Sequence, residues 1–567
     1  MAETLISPGV LARENDSTFI RQQPVNVGAA IIGPTVLGPV EVPTLVTSYS
    51  DYVNKFGASF ASASNSYSYF TSIAAYNYFN NGGTSLLVAR VVSGSYTSAA
   101  STTISSFLNA TSASFTLQTL SKGAIMNSSS SLDASGSLAS GSADNVRWQI
   151  ANADSSSGTF SLLIRQGNDN TNNQTVLETW TNLSLDPFAP NFISRVIGDQ
   201  AQNYNATYNQ IETSGSYFNQ SRYVRVSNVN LLTPNYFDNT GIAKSEYTAS
   251  LPINGSGSFS GAVGSVMGGA QFYDAITDGN KSQGIPSASY DNMIDLFANQ
   301  DEYKFNVLLT PGLFNSLQTS QCTDIITNTQ TRGDSLYVLD LVPYASPLSS
   351  ATAAANSRNT SYATSYWPWV QVIDPATGKN VWVPASTVIG GVYAYNDSVA
   401  EPWFAPAGIN RGGLQVIRAA YKLPQTSRDT LYTNKVNPIA TFPGTGTVVY
   451  GQKTLQTQAS ALDRVNVRRL LIALKNYISQ IANTLVFEQN SIATRNAFLS
   501  QVNPYLESVQ QKQGLYAFRV IMDDTNNTAD VIDRNQLIGQ IYIQPTRTAE
   551  FIYLDFNILP TGATFPA

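Results

Sequence analysis

A helical period near the end of the chain constrains the fold more than any other feature. From Asp463 to Asn490, "DRVNVRRLLIALKNYISQIANTLVFEQN", the apolar residues Val467, Leu470, Leu471, Leu474, Ile478, Ile481 and Leu485 recur at three- and four-residue spacing. That spacing predicts one long helix with a single apolar face, which other elements must cover. Asn490 or Ser491 is placed to cap a second helix, and Gly514 to stop it. Pro504 lies inside that second pattern, where its ring and missing N–H are expected to kink or divide the helix. Leu515–Met522 and Glu550–Leu559 then read as strands. A sheet edge beside a chain end invites pairing with another molecule, so this quarter points to assembly rather than chemistry.

A chain of 567 residues is too long for one ordinary core and is expected to form three or four domains. Charged residues make up only 12%, the formal charge is −6, and no basic run is present. A general nucleic-acid binder needs a local excess of Lys and Arg, so that class is disfavoured. Histidine is absent. This excludes a Ser-His-Asp triad, a Cys-His pair, a His-based zinc site and a histidine general base within the chain. The single Cys322 excludes an internal disulfide and reads as a small buried apolar residue. "MAETLISPGV" shows no basic segment followed by an apolar run, and no apolar stretch approaches the ~20 residues of a membrane span. The expectation is a soluble protein made in the cytoplasm, without stable membrane insertion.

The pattern along the chain predicts a mixed α/β, multidomain protein: α/β core domains, extended terminal arms and an inserted Ser/Thr/Asn-rich β domain. Residues 1–22 read as an extended arm. Residues 23–96 and 221–262 form a middle α/β domain, with helices over Ser50–Phe56 and Tyr67–Asn80 and a buried strand over Leu86–Val92. Residues 93–220 are the outer insert, where Ser114–Leu120, Val146–Ile150, Thr159–Ile164 and Thr175–Trp180 alternate like strands; the competing reading is a disordered linker. Residues 263–455 alternate strand and helix (Phe305–Thr310, Ser320–Thr329, Leu336–Leu341), which argues for a partly parallel sheet. A hairpin follows over Val370–Ile373 and Val381–Val383, then a rigid loop over Pro402–Gly413. Residues 456–567 are the C-terminal inner domain with its arm.

Several of these blocks, in order, resemble the tail sheath protein of contractile-tailed bacteriophages. They include Ser7–Val10 "SPGV", Ile31–Gly57 "IIGPTVLGPVEVPTLVTSYSDYVNKFG" and Ala75–Val92 "AYNYFNNGGTSLLVARVV". Further on come Ser365–Ser386 "SYWPWVQVIDPATGKNVWVPAS", Pro402–Gly412 "PWFAPAGINRG" and Asn437–Leu455 "NPIATFPGTGTVVYGQKTL". Val465–Leu471 "VNVRRLL" and Phe518–Ile552 "FRVIMDDTNNTADVIDRNQLIGQIYIQPTRTAEFI" complete the set. Ser93–Gln220 lies outside the resemblance.

The resemblance implies a non-enzymatic structural subunit, with no cofactor. Such subunits stack as rings, usually hexameric, in a helical array around an inner tail tube, between baseplate and tail terminator proteins. They shorten and widen on a baseplate signal, driving the tube through the host envelope. It also implies a place in the virion tail after assembly in the host cytoplasm, and terminal arms that add strands to neighbouring subunits. The arm candidates are Met1–Arg13, with Ser7, Pro8, Gly9 and Val10, and Phe551–Ala567, with Ile552, Leu554, Phe556 and Ile558. From the residues alone, both termini could equally complete their own domain's sheet. Arg468 and Arg469 read as a solvated helix face with local ion pairs, or as contacts to a neighbour or the tube. Asp523, Asp524, Asp530 and Asp533 read as turn caps rather than a paired-carboxylate site or calcium loop. Trp367, Trp369, Trp382 and Trp403 read as hairpin packing rather than a sugar platform. Rival classes are a related contractile injection sheath, a Ser/Asn-rich surface adhesin and a carboxylate-dependent glycosidase.

Overall fold

The computed structural model describes residues 27–62, 65–101, 104–108, 112–266 and 276–551. Its centre is an eight-stranded sheet. In chain order the strands are β1 (Val27–Gly33), β2 (Thr44–Val46), β3 (Leu86–Arg90), β4 (Phe305–Phe314), β5 (Leu336–Asp340), β6 (Ala363–Trp367), β7 (Asn437–Phe442) and β8 (Gly446–Val449). They lie in the order β2-β3-β1-β4-β5-β6-β7-β8. From β3 to β7 every pairing is parallel, and only β2 and β8 run antiparallel at the two ends.

A mostly parallel sheet has to be covered on both faces, and the strand sequences are apolar on both. Ala29 and Ile31 of β1 point into the same core as helices α1 (Tyr49–Phe56), α2 (Phe70–Asn80) and, later in the chain, α4 (Ser386–Val399). Ala30 and Ile32 point the other way, into a core shared with α3 (Thr319–Arg332) through Cys322, Ile325 and Ile326. The result is a three-layer α/β/α body. Cys322 is fully buried there, and burial pushes its thiol up to about 12, as an inert core residue requires. The first two helices sit close to their expected places, although α2 starts at Phe70 because Asn65–Tyr67 pairs as a strand with Phe60–Ser62.

The Ser/Thr/Asn-rich stretch is folded. Val176–Ser184, Thr159–Gln166, Val146–Asp154 and Gly255–Ser258 form one sheet, and Val224–Val229, Phe115–Lys122 and Ser98–Ala100 another. Phe115, Trp148, Phe160, Leu162, Val226 and Phe259 share the core between them. Two of those strands, 224–229 and 255–258, come from the range expected to lie in the middle α/β domain and pair with Phe115–Lys122 and Val146–Asp154. Arg90, completely buried at the end of β3, ties this unit to the body. Its guanidinium donates to the carbonyls of Gly38 (2.6 Å) and Val36 (3.2 Å) in the body and Lys122 (2.9 Å) in the insert. Burial without a carboxylate lowers its pKa to about 10.

Candidate functional site

The segment after residue 463 forms a separate module. Helix α5 (Val465–Asn483) and helix α6 (Ile492–Gln511) are followed by β9 (Leu515–Ile521) and β10 (Gln540–Pro545), which pair antiparallel. The helical period set the existence of α5, but the helix ends at Asn483, seven residues before the pattern does. Phe487, fully exposed with φ at 72°, turns the chain toward α6. Ser491 caps α6, accepting from the Thr494 amide at 3.3 Å. Pro504 does not divide α6, which continues through it. Val502 and Leu506, both completely buried, hold it on either side, and this packing offsets the roughly 3 kcal/mol that an interior proline costs.

Leu470, Leu474, Ile481, Phe498, Val502, Leu506, Val509 and Leu515 build the module's core around Trp403. Trp403 therefore packs here, not with the hairpin as the sequence suggested. Its indole N–H donates to the Lys512 carbonyl at 3.0 Å, and its own carbonyl accepts from Asn466. The other three tryptophans of that set do pack around the hairpin region: Trp369 against Phe314 and Tyr344, Trp382 against Tyr344, and Trp367 on Tyr421.

Arg468 and Arg469 sit inside the chain, each 4% exposed, so neither lies on a solvated face. Residues 465–470 of "VNVRRLL" are all buried where the helix plugs into the α/β body, and Leu471 is half-buried. Arg469 pairs with Asp397 of α4 at 2.5 Å and lies over the Tyr393 ring at 4.7 Å. Burial alone would lower its pKa, but Asp397 outweighs this and raises it. Arg468 lies over the Tyr362 ring at 4.0 Å and donates to the Ser361 hydroxyl. Both arginines join the module to the body. Ser7, Pro8, Gly9, Val10, Ile552, Leu554, Phe556 and Ile558 lie outside the described residues, as does most of the expected strand Glu550–Leu559.

The hairpin is the open surface of the module. Phe518 faces Ile543, and Val520 faces Ile541, on the side toward the helices. Tyr516 (63% exposed) and Tyr542 (56%) stand outside that core. Among the described residues this sheet has only two strands, so both long edges carry backbone groups with no strand partner. Such an edge is a template for an added strand. The alternation Ile541-Tyr542-Ile543-Gln544 was the sequence signal for β10, which the sequence reading treated only as part of a family block.

Nothing convergent emerges from the four aspartates. Asp523 accepts from the Thr525 amide (2.9 Å) and hydroxyl (2.5 Å), and the hydroxyl bond is the main cause of its lowered pKa. Asp524 pairs with Arg495 at 2.6 Å and Asp530 with Arg534 at 2.8 Å. These are local turn and helix contacts. Among the described residues no group of three or more His, Cys, Asp or Glu is placed to hold a metal, and no helix is long and apolar enough to cross a membrane.

The module is similar to a known family. Residues 457–559 match the family described as phage tail sheath C-terminal domain. The tail sheath protein of Vibrio phage KVP40 is 43% identical over 208 residues, 36% of this chain and 31% of that protein. The tail sheath protein of Salmonella phage ViI is 30% identical over 310 residues, 51% of this chain and 49% of that protein. The chain thus spans about a third to a half of these relatives' length. A sheath tail protein from Listeria innocua shares the fold, with a TM-score of 0.50 at 10% identity, covering 92% of this chain and 95% of that one.

Proposed function

We propose that this chain, whose residues 457–559 match the phage tail sheath C-terminal domain family, is the structural subunit of a contractile tail sheath. It polymerises with copies of itself around an inner tail tube, between baseplate and terminator, as part of the virion tail. It then contracts to drive the tube through the host envelope. The observation that carries this reading is the matched module itself: a packed helical pair presenting a two-stranded sheet with open edges. Open sheet edges favour assembly, and the neighbouring carboxylates Asp523, Asp524 and Asp530 are engaged in local turn and helix contacts.

Contraction by such a subunit draws on the free-energy difference between two packings of the same chains, held back by a kinetic barrier. Strand addition suits this duty. Backbone pairing depends little on side chains, so a link survives while the joined bodies rotate. In this reading the terminal segments, Met1–Arg13 and Phe551–Ala567, are the added strands, and β9–β10 the sheet that receives them.

Negative-stain electron microscopy of the purified full chain tests the proposal. Long striated tubes are the expected result. Protein that stays monodisperse and monomeric across assembly conditions would contradict it.

A further inference from the structure

We infer that Arg464 and Glu550 form a clasp that closes the C-terminal module on itself and sets its orientation against the α/β body. Arg464 immediately precedes α5, where the chain enters the module; Glu550 lies on the strap by which it leaves. The two are 86 residues apart in sequence. The Arg464 Nε donates to Glu550 Oε1 at 2.7 Å and its Nη2 to Oε2 at 2.9 Å, a two-pronged, charge-assisted contact.

The body contributes the rest. Tyr432, on the helix Gln425–Thr433, donates its hydroxyl to Oε2 at 2.6 Å. Gln452 donates to Oε1 at 3.1 Å and to the Thr548 hydroxyl at 2.6 Å. Around this carboxylate stand Asp463, paired with Arg464 at 3.0 Å, and Lys453, whose ammonium lies 4.3 Å from the Tyr432 ring centre. Burial alone would raise the pKa of Glu550. The Arg464, Tyr432 and Gln452 bonds outweigh it and hold the carboxyl below its usual range, ionised and bound.

The strap gives the clasp its importance. Residues 546–551 follow β10 with no ladder partner among the described residues, and Thr546 is tied back to Gln513 and Gly514 within the module. Onto the body, the strap's recorded polar bonds are those of Thr548 and Glu550. With the clasp shut, entry and exit of the module share one anchor on the body. With it open, the strap is free and the module is held through the α5 and Trp403 contacts and the Lys512–Glu401 ion pair. This is a two-state device built from reversible bonds, and it does not depend on the sheath reading.

Limited trypsin digestion of the full chain tests it, because Arg547 lies exposed in the strap and Arg534 supplies an exposed control in the same module. Glu550→Gln and Arg464→Ala are each expected to speed cleavage after Arg547 by at least about tenfold, as proteolysis tracks the open population. Cleavage after Arg534 should stay unchanged, and Arg464→Lys should fall between. Unchanged cleavage after Arg547 in both variants would overturn the clasp. Equal acceleration at both sites would do so too, since the pair would then support the whole fold rather than a local latch.

Discussion

Asp340 shows how single buried residues make the body sensitive to solution conditions. At the end of β5 it is fully enclosed, and burial pushes its carboxyl up to about 7. The Ser386 hydroxyl (2.6 Å) and amide (3.0 Å) donate to it and hold the shift back. A folded pKa above the unfolded one means the native state keeps the proton longer. The resulting stability is full below about pH 4 and is lost as pH rises through about 7. Urea midpoints of the wild type should therefore fall across that window, and Asp340→Asn should flatten the slope. Identical pH profiles for the two proteins would refute this. Nothing in "LYVLDL" marks Asp340 as special, because its strand neighbours look like any core segment. Its environment comes from α4, 46 residues on. Cys322 is the opposite case: one thiol in a histidine-free chain read as inert from sequence and lies buried in the core.

Elements were more legible where a period or a cap announced them. The apolar runs of β3, β4 and β5 and the glycine-bounded helices follow from local pattern. The start of α6 follows from Ser491. Replacing Ser491 by Ala should cost about 1 kcal/mol, the usual value of a lost N-cap. It should also raise amide exchange in the first turn of α6 while leaving α5 unaffected. A loss spread evenly over both helices would show that the cap is not what starts α6. The end of α5 and the continuity of α6 through Pro504 are not legible in the sequence for the same reason: both are decided by what packs beside them. Beyond Asn483 only Leu485 of the apolar period remains, packed against the module's core, while Val486 and Phe487 are exposed. Around Pro504 the flanking Val502 and Leu506 do have a core, and the helix persists.

At the scale of the whole molecule, a three-layer body carries two attachments of different character. The β insert is stapled on by Arg90, and the C-terminal module is plugged in through Arg468, Arg469 and Trp403 and clasped by Glu550. If the N-terminal segment is an exchanged strand, deleting Met1–Arg13 should leave the monomer's circular dichroism and melting unchanged while abolishing long tubes in electron micrographs. Normal tubes from the truncated protein would remove that segment from the assembly scheme. The sequence by itself determined the α/β class, the existence of the insert's strands, the helical pair and the exclusion of histidine chemistry. All of these rest on residue type or short-range period. Tertiary structure alone decided that Arg469 meets Asp397, 72 residues away, that Arg464 meets Glu550, and that Trp403 belongs to the module rather than the hairpin. The physical reason is that a polar side chain's partner is chosen by the fold that buries it, and no local period carries that address.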